Sequence, residues 1–218
     1  MKTAVIFDMD GVLIDSVGMN WQSYNAVLKA DYNVVVEPND IHKYVGRTLK
    51  DQLAMLNADY KINIDGDSFT AKTNEIKKEL LKSLQPMPGV KVLLDDLRKN
   101  NVPMAVGTSA PLEVTEDKLR TTGLLEYFDV IVTSDHVSKH KPEPDVYLEC
   151  AKQLGIEPKY CVVIEDAPAG IESAHAANMK CLAIITPYVD LEQLRIADLT
   201  VESLETVNSE NLAALVRS

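Results

Sequence analysis

The chain opens with an unbroken apolar run, Ala4-Val5-Ile6-Phe7, that stops at Asp8, Asp10 and Gly11. A short β-branched run bounded by turn residues predicts a buried strand, because a buried helix needs roughly ten residues or more. From Ser16 to Leu84 the period becomes helical. Trp21, Tyr24, Val27 and Leu28 fall on one helical face, and Phe69, Ile76, Leu80 and Leu84 on another, so amphipathic helices and no strand are expected there. The stretch closes at Gln85-Pro86-Met87-Pro88-Gly89, a cluster of breakers that marks a domain junction.

Beyond that junction helices and short apolar strands alternate. A helix over 90–99 leads to a strand at 102–106, and a helix over 112–121 to a strand at 130–132. A helix over 144–154 with Gly155 as its stop leads to a strand at 162–164, and a helix over 171–177 to one at 182–185. Such alternation predicts a mostly parallel sheet covered on both faces. The first strand must join that sheet, so residues 1–15 and 86–218 are expected to form one α/β domain, interrupted by an all-helical insert over 16–85.

Composition narrows the partners. The 218 residues are 46% hydrophobic and 25% charged, an ordinary balance for a folded protein. The 22 basic against 33 acidic residues give a net charge of −11, which repels nucleic acid and anionic membranes over most of the surface. No apolar stretch approaches the roughly 18 residues of a membrane span. Cys150, Cys161 and Cys181 are odd in number and widely spaced, so buried thiols are expected instead of a disulfide framework or a zinc site. A monomeric, cytoplasmic protein is expected.

The chemistry collects past the strand ends, where open α/β sheets bind ligands. Asp8 and Asp10 follow the first strand, Thr108 and Ser109 the second, Ser134 and Asp135 the third, and Glu165 and Asp166 the fourth; Lys141 lies in the loop after the third. Asp8, Asp10 and Asp15 are too close to remain charged without a cation or proton between them, which points to a hard metal with oxygen ligands. The spacing is not that of an EF-hand, whose glycine stands sixth. Four carboxylates can hold Mg²⁺, while one hydroxyl and one ammonium can hold a phosphoryl group. Each residue also has an ordinary reading: Thr108 or Ser109 as the cap of the next helix, Lys141 as a surface lysine, Glu165-Asp166 as an acidic helix entry. His136 and His140 stand four apart, but Ser138 and the Lys141-Pro142 step argue against a helix, and hence a metal pair, there.

Together Asp8-Met9-Asp10-Gly11-Val12, Thr108-Ser109, Lys141-Pro142-Glu143-Pro144-Asp145 and Glu165-Asp166-Ala167-Pro168-Ala169-Gly170 resemble the four motifs of the haloacid dehalogenase-like hydrolase superfamily, in order and along essentially the whole chain. The insert after the first motif is similar to the helical cap of its phosphatase and β-phosphoglucomutase branch. The resemblance implies a Rossmann-like parallel sheet core with an inserted cap. It implies Asp8 as the nucleophile that forms an aspartyl-phosphate and Asp10 as general acid, then base. It also implies Mg²⁺ held by Asp8, the Asp10 backbone carbonyl and Asp166 with Glu165 in or beside that shell, and a phosphoryl group bound by Thr108, Ser109 and Lys141.

Two departures bear on the reaction. Asn20 and Leu49 stand where the mutase pattern has a histidine and an arginine, with Arg47 or Lys50 as replacements for the latter. Asn20 cannot take up a proton as histidine can. Hydrolysis of a small phosphorylated metabolite such as a sugar phosphate is therefore expected, with mutase-like phosphoryl transfer as the alternative and a non-catalytic binding protein a third reading. Asp10 argues against a dehalogenase, whose leaving halide takes no proton. Asn20, Tyr24, Arg47 and Lys50 are the cap candidates for substrate selection.

Overall fold

The opening apolar run is strand β1 (Ala4–Phe7), each residue fully buried, in a computed structural model that describes residues 3–45 and 49–217. It is followed by α1 (Ser16–Tyr32), α2 (Leu49–Tyr60) and α3 (Gly66–Leu81). Thereafter come α4 (Val90–Lys99), β2 (Met104–Gly107), α5 (Leu112–Thr121), β3 (Val130–Val132), α6 (Asp145–Leu154), β4 (Cys161–Glu165), α7 (Pro168–Ala176) and β5 (Lys180–Ile184). The chain ends with α8 (Leu191–Leu194), β6 (Leu199–Val201) and α9 (Ser209–Arg217).

The strands form one parallel sheet in the order β3-β2-β1-β4-β5-β6. The order reverses beside β1, which pairs Phe7 with Val106 of β2 on one side and with Ile164 of β4 on the other. A crevice opens at such a reversal, past the carboxyl ends of the strands. The motifs after β1, β2 and β4 therefore meet there.

Two compact units divide the chain. One holds the residues up to Asp15, Leu84–Thr186 and those from Leu191 on; the other holds Ser16–Ser83 and Pro187–Asp190. The helical unit packs Trp21, Tyr24, Leu28, Tyr44, Leu56 and Phe69 into its own apolar cluster. Assigning all of 86–218 to the α/β domain missed the short segment 187–190, which groups with the helices because Tyr188 packs on that cluster. Leu84 also departs from expectation: it lies beyond the end of α3 and is buried in the α/β unit.

Strand β2 starts at Met104, not Val102, because the Val102 amide still bonds Leu97 O at 2.9 Å and closes the end of α4. Strand β6 and helix α9 were not foreseen. Leu199 and Thr200 are exposed on an edge strand, so the apolar run that announces a buried strand is missing there.

Candidate active site

Past β1 the chain turns tightly, with Gly11 N bonded to Ile14 O at 2.8 Å and Leu13 N to Met9 O at 3.0 Å. Gly11 has φ +91°, and a Cβ there would overlap Asp166 Oδ2. Only glycine allows that turn to come so close to the end of β4. Asp8 and Asp166 are both buried, Asp10 half-buried.

Past β2, the Thr108 amide bonds Val132 O at 3.0 Å, and its Oγ1 accepts from Ala110 N at 3.1 Å. Thr108 is buried and Ser109 exposed. Neither caps α5. The Leu112 amide instead donates to Asp135 Oδ2 at 2.8 Å, a carboxylate 23 residues away in sequence, because Pro111 takes the position before the helix.

Lys141 is the hub. Its ammonium, on a side chain 8% exposed, donates to Asp8 Oδ1 at 2.5 Å, Glu165 Oε1 at 2.8 Å and Gly107 O at 3.1 Å, which uses its three N–H groups. The peptide that follows, Lys141–Pro142, is cis. Glu165 in turn accepts from Lys141 and from the Tyr147 hydroxyl (2.8 Å) on Oε1, and from the amides of Asp166 (2.8 Å) and Ala167 (2.9 Å) on Oε2. Its lone pairs are thus occupied by protein donors.

These groups line one cavity of about 420 Å³ with Asp8, Asp10, Thr108, Ser109, Lys141, Glu165 and Asp166 in its wall. Ligand oxygens of Asp8, Glu165 and Asp166 lie within 4.8 Å of one another. A second cavity of about 310 Å³ lies at the opposite end of the sheet, walled by Arg98, Met104 and Tyr127, and holds none of these carboxylates.

Burial sets the electrostatics. It pushes the Asp8 carboxyl up to about 7, against the opposing pull of Lys141 and with help from Glu165 and Asp10. Asp166 is raised well above the carboxylate range by burial and by Glu165 and Asp8. Burial lowers the Lys141 ammonium, but Asp8 and Glu165 outweigh it and raise it. Burial of Asp8 thus outweighs the pull of the single Lys141 ammonium. An oxygen-only donor set of buried carboxylates with raised proton affinity suits a hard divalent cation, which relieves that repulsion.

Tyr147 and Lys118 were missed by sequence reasoning. Tyr147 is a fully buried tyrosine on the inner face of α6 beside Cys150 and Ala151, and such a hydroxyl needs a partner. Lys118 donates to Asp10 Oδ1 at 2.7 Å. It occupies the same stripe of α5 as Thr115, Leu119 and Thr122, and a lysine on a buried stripe was the signal available.

In the helical unit Tyr24 packs between Trp21 and Phe69, with ring centroids 5.3 and 5.2 Å away, so its ring is part of that core. Asn20 is half-buried and Lys50 exposed; Arg47 lies outside the described residues. His136 Nδ1 accepts from the Thr133 amide at 3.0 Å, a turn-closing role.

The chain is 32% identical over 213 residues to validoxylamine A 7'-phosphate phosphatase of Streptomyces hygroscopicus subsp. limoneus, covering 95% of this chain and 96% of the relative. It is 34% identical over 184 residues to the fructose-1-phosphate phosphatase of Escherichia coli, covering 83% and 95%. The crystal structure of β-phosphoglucomutase from Clostridium difficile superposes with a TM-score of 0.74 at 25% identity, covering 100% and 98%. Residues 5–184, from β1 to the end of β5, match the haloacid dehalogenase-like hydrolases, and the chain belongs to that family.

Proposed function

We propose that the protein is a Mg²⁺-dependent phosphatase that hydrolyses a small sugar phosphate through a phosphorylated Asp8. The observation that carries this reading is the convergence of Asp8, Asp10, Lys141 and Asp166 on one cavity at the sheet reversal. Two relatives named as phosphatases of phosphorylated carbohydrate-like compounds support the substrate class.

Asp8 attacks phosphorus, forming an Oδ–P bond as the bond to the sugar oxygen breaks. Asp10 gives its proton to the leaving alkoxide, then takes one from the water that cleaves the acyl phosphate, returning Asp8 as carboxylate and releasing phosphate. Lys141 and Thr108 bind the phosphoryl oxygens, and Lys141 neutralises their charge as the bond breaks. Ser109, exposed on the cavity wall, offers a further hydroxyl. Asp8, Asp166 and the Asp10 backbone carbonyl hold Mg²⁺, which when bound screens phosphate charge from these carboxylates. Glu165, with its lone pairs occupied, fixes Lys141 and Tyr147. Asn20, Lys50 and Arg47 remain the candidates for substrate selection, and three free thiols suit a reducing cytoplasm.

Phosphate release from an aryl phosphate and from a panel of hexose and hexitol phosphates, with and without Mg²⁺, tests the reading. Turnover that survives Asp8→Asn overturns the nucleophile. Formation of glucose 6-phosphate from β-glucose 1-phosphate faster than free phosphate would make the enzyme a mutase.

A further inference from the structure

Asp10 is gripped by a residue that does not itself wall the cavity. The Lys118 ammonium lies 2.7 Å from Asp10 Oδ1, with the lysine side chain 12% exposed and the aspartate 35%. Asp10 lines the cavity; Lys118 is not among its lining residues.

The helix that carries Lys118 is anchored on both sides of it. Asp135 ties the first turn of α5 through the Leu112 amide, Thr115 and Leu119 are buried, and Thr122 Oγ1 closes on Lys118 O at 2.8 Å. Immobilising a long side chain costs entropy, and a fully exposed ion pair returns little for it. A pair whose ammonium is mostly buried and whose base is fixed has a different consequence: the carboxylate inherits the position of the helix. Catalysis by a general acid depends on hydrogen-bond reach to the oxygen it protonates, so the orientation of Asp10 is worth fixing.

We propose that Lys118 is a positioning residue that holds the Asp10 carboxylate in place for proton transfer. The inference rests on Asp10 being the acid and base. It ties a position on α5, ten residues beyond the Thr108 motif, to the proton-transfer half of the reaction and leaves metal and phosphoryl binding to the groups on Asp8, Lys141 and Asp166.

The test compares two leaving groups in the Mg²⁺-loaded enzyme. Nitrophenolate departs as a stable anion, whereas an alkoxide departs only if protonated, so loss of proton transfer lowers kcat/KM for an alkyl phosphate far more than for p-nitrophenyl phosphate. Asp10→Asn is the reference, with an alkyl-selective loss on the order of 10²-fold or more. Lys118→Met is expected to show the same selectivity, roughly ten-fold, with Lys118→Arg restoring most of it and the Mg²⁺-induced rise in melting temperature unchanged. Equal loss on both substrates, or no loss beside a selective Asp10→Asn, overturns the role of Lys118 and leaves the phosphatase reading standing. An Asp10→Asn enzyme without selectivity overturns the acid assignment, and the inference with it. If Lys118→Met does not fold, Lys118→Gln carries the same comparison with the same outcomes.

Discussion

Glu165 leaves no room for a side chain at Gly170: a Cβ there would overlap Glu165 Oε1, the atom that accepts from both Lys141 and Tyr147. Alanine in a helix is ordinarily favoured over glycine by about 1 kcal/mol. Here that gain is outweighed, because displacing a buried carboxylate from its donors costs about 3–5 kcal/mol. Gly170→Ala is therefore expected to lower the melting temperature, where helix propensity alone predicts a rise, and to reduce kcat by roughly ten-fold or more through Lys141.

The raised carboxyl of Asp8 gives the metal-free protein a pH dependence of definite sign. The unfolded group titrates near 3.8 and the folded one at about 7, so between those values the folded state binds more protons. Stability then falls as pH rises through that window, by an amount on the order of a few kcal/mol. A cation that needs ionised Asp8 must displace the proton at low pH and not at high pH. The Mg²⁺-induced increase in melting temperature is expected to be larger at pH 8 than at pH 5.5. Thermal melts with and without Mg²⁺ at the two values check it; an equal shift at both refutes it.

The cap of α5 is a contact across 23 residues, and it separates two otherwise similar variants. Asp135→Ala should cost about 1 kcal/mol, the usual value of a lost helix cap. Ser109→Ala, despite the sequence position that makes it look like the cap, should stay within about 0.5 kcal/mol of the parent in denaturant unfolding.

That pair also shows what the sequence makes legible. Strands β1 and β4 announce themselves because each of their residues is buried, and the chemical groups follow at their ends because a parallel sheet aligns those ends. Each of these signals is local. The Asp135 cap, the grip of Lys118 on Asp10 across 108 residues and the grouping of Pro187–Asp190 with the helices all join segments distant in sequence, and no neighbouring residue reports them. Strand β6 escapes for the opposite reason, since an exposed edge of three residues carries hardly any pattern. The raised affinity of Asp8 for a proton is likewise a sum over burial, Glu165 and Asp10 that no motif contains.

Lys141 has the most to lose by substitution. Its single nitrogen meets Asp8, Glu165 and the Gly107 carbonyl at 2.5, 2.8 and 3.1 Å, and lies over the Tyr147 ring 4.6 Å from the centroid. Lys141→Met removes the ammonium and leaves Asp8, Glu165 and Asp166 buried together, a loss of about 3–5 kcal/mol at pH 8. At pH 5.5 the loss should be smaller, because Asp8 without its cation takes up a proton more readily. Mg²⁺ should recover part of the stability at pH 8 but not the rate, since the phosphoryl oxygens still lack a donor, and kcat is expected to fall by about 10²–10³. Lys141→Arg should not rescue it. Three acceptors converge on one atom, whereas a guanidinium spreads its donors over a plane and needs more room than a side chain 8% exposed has around it. Urea unfolding at both pH values, with and without Mg²⁺, and kcat for the three proteins measure each step; an arginine variant with parental kcat refutes the convergence argument.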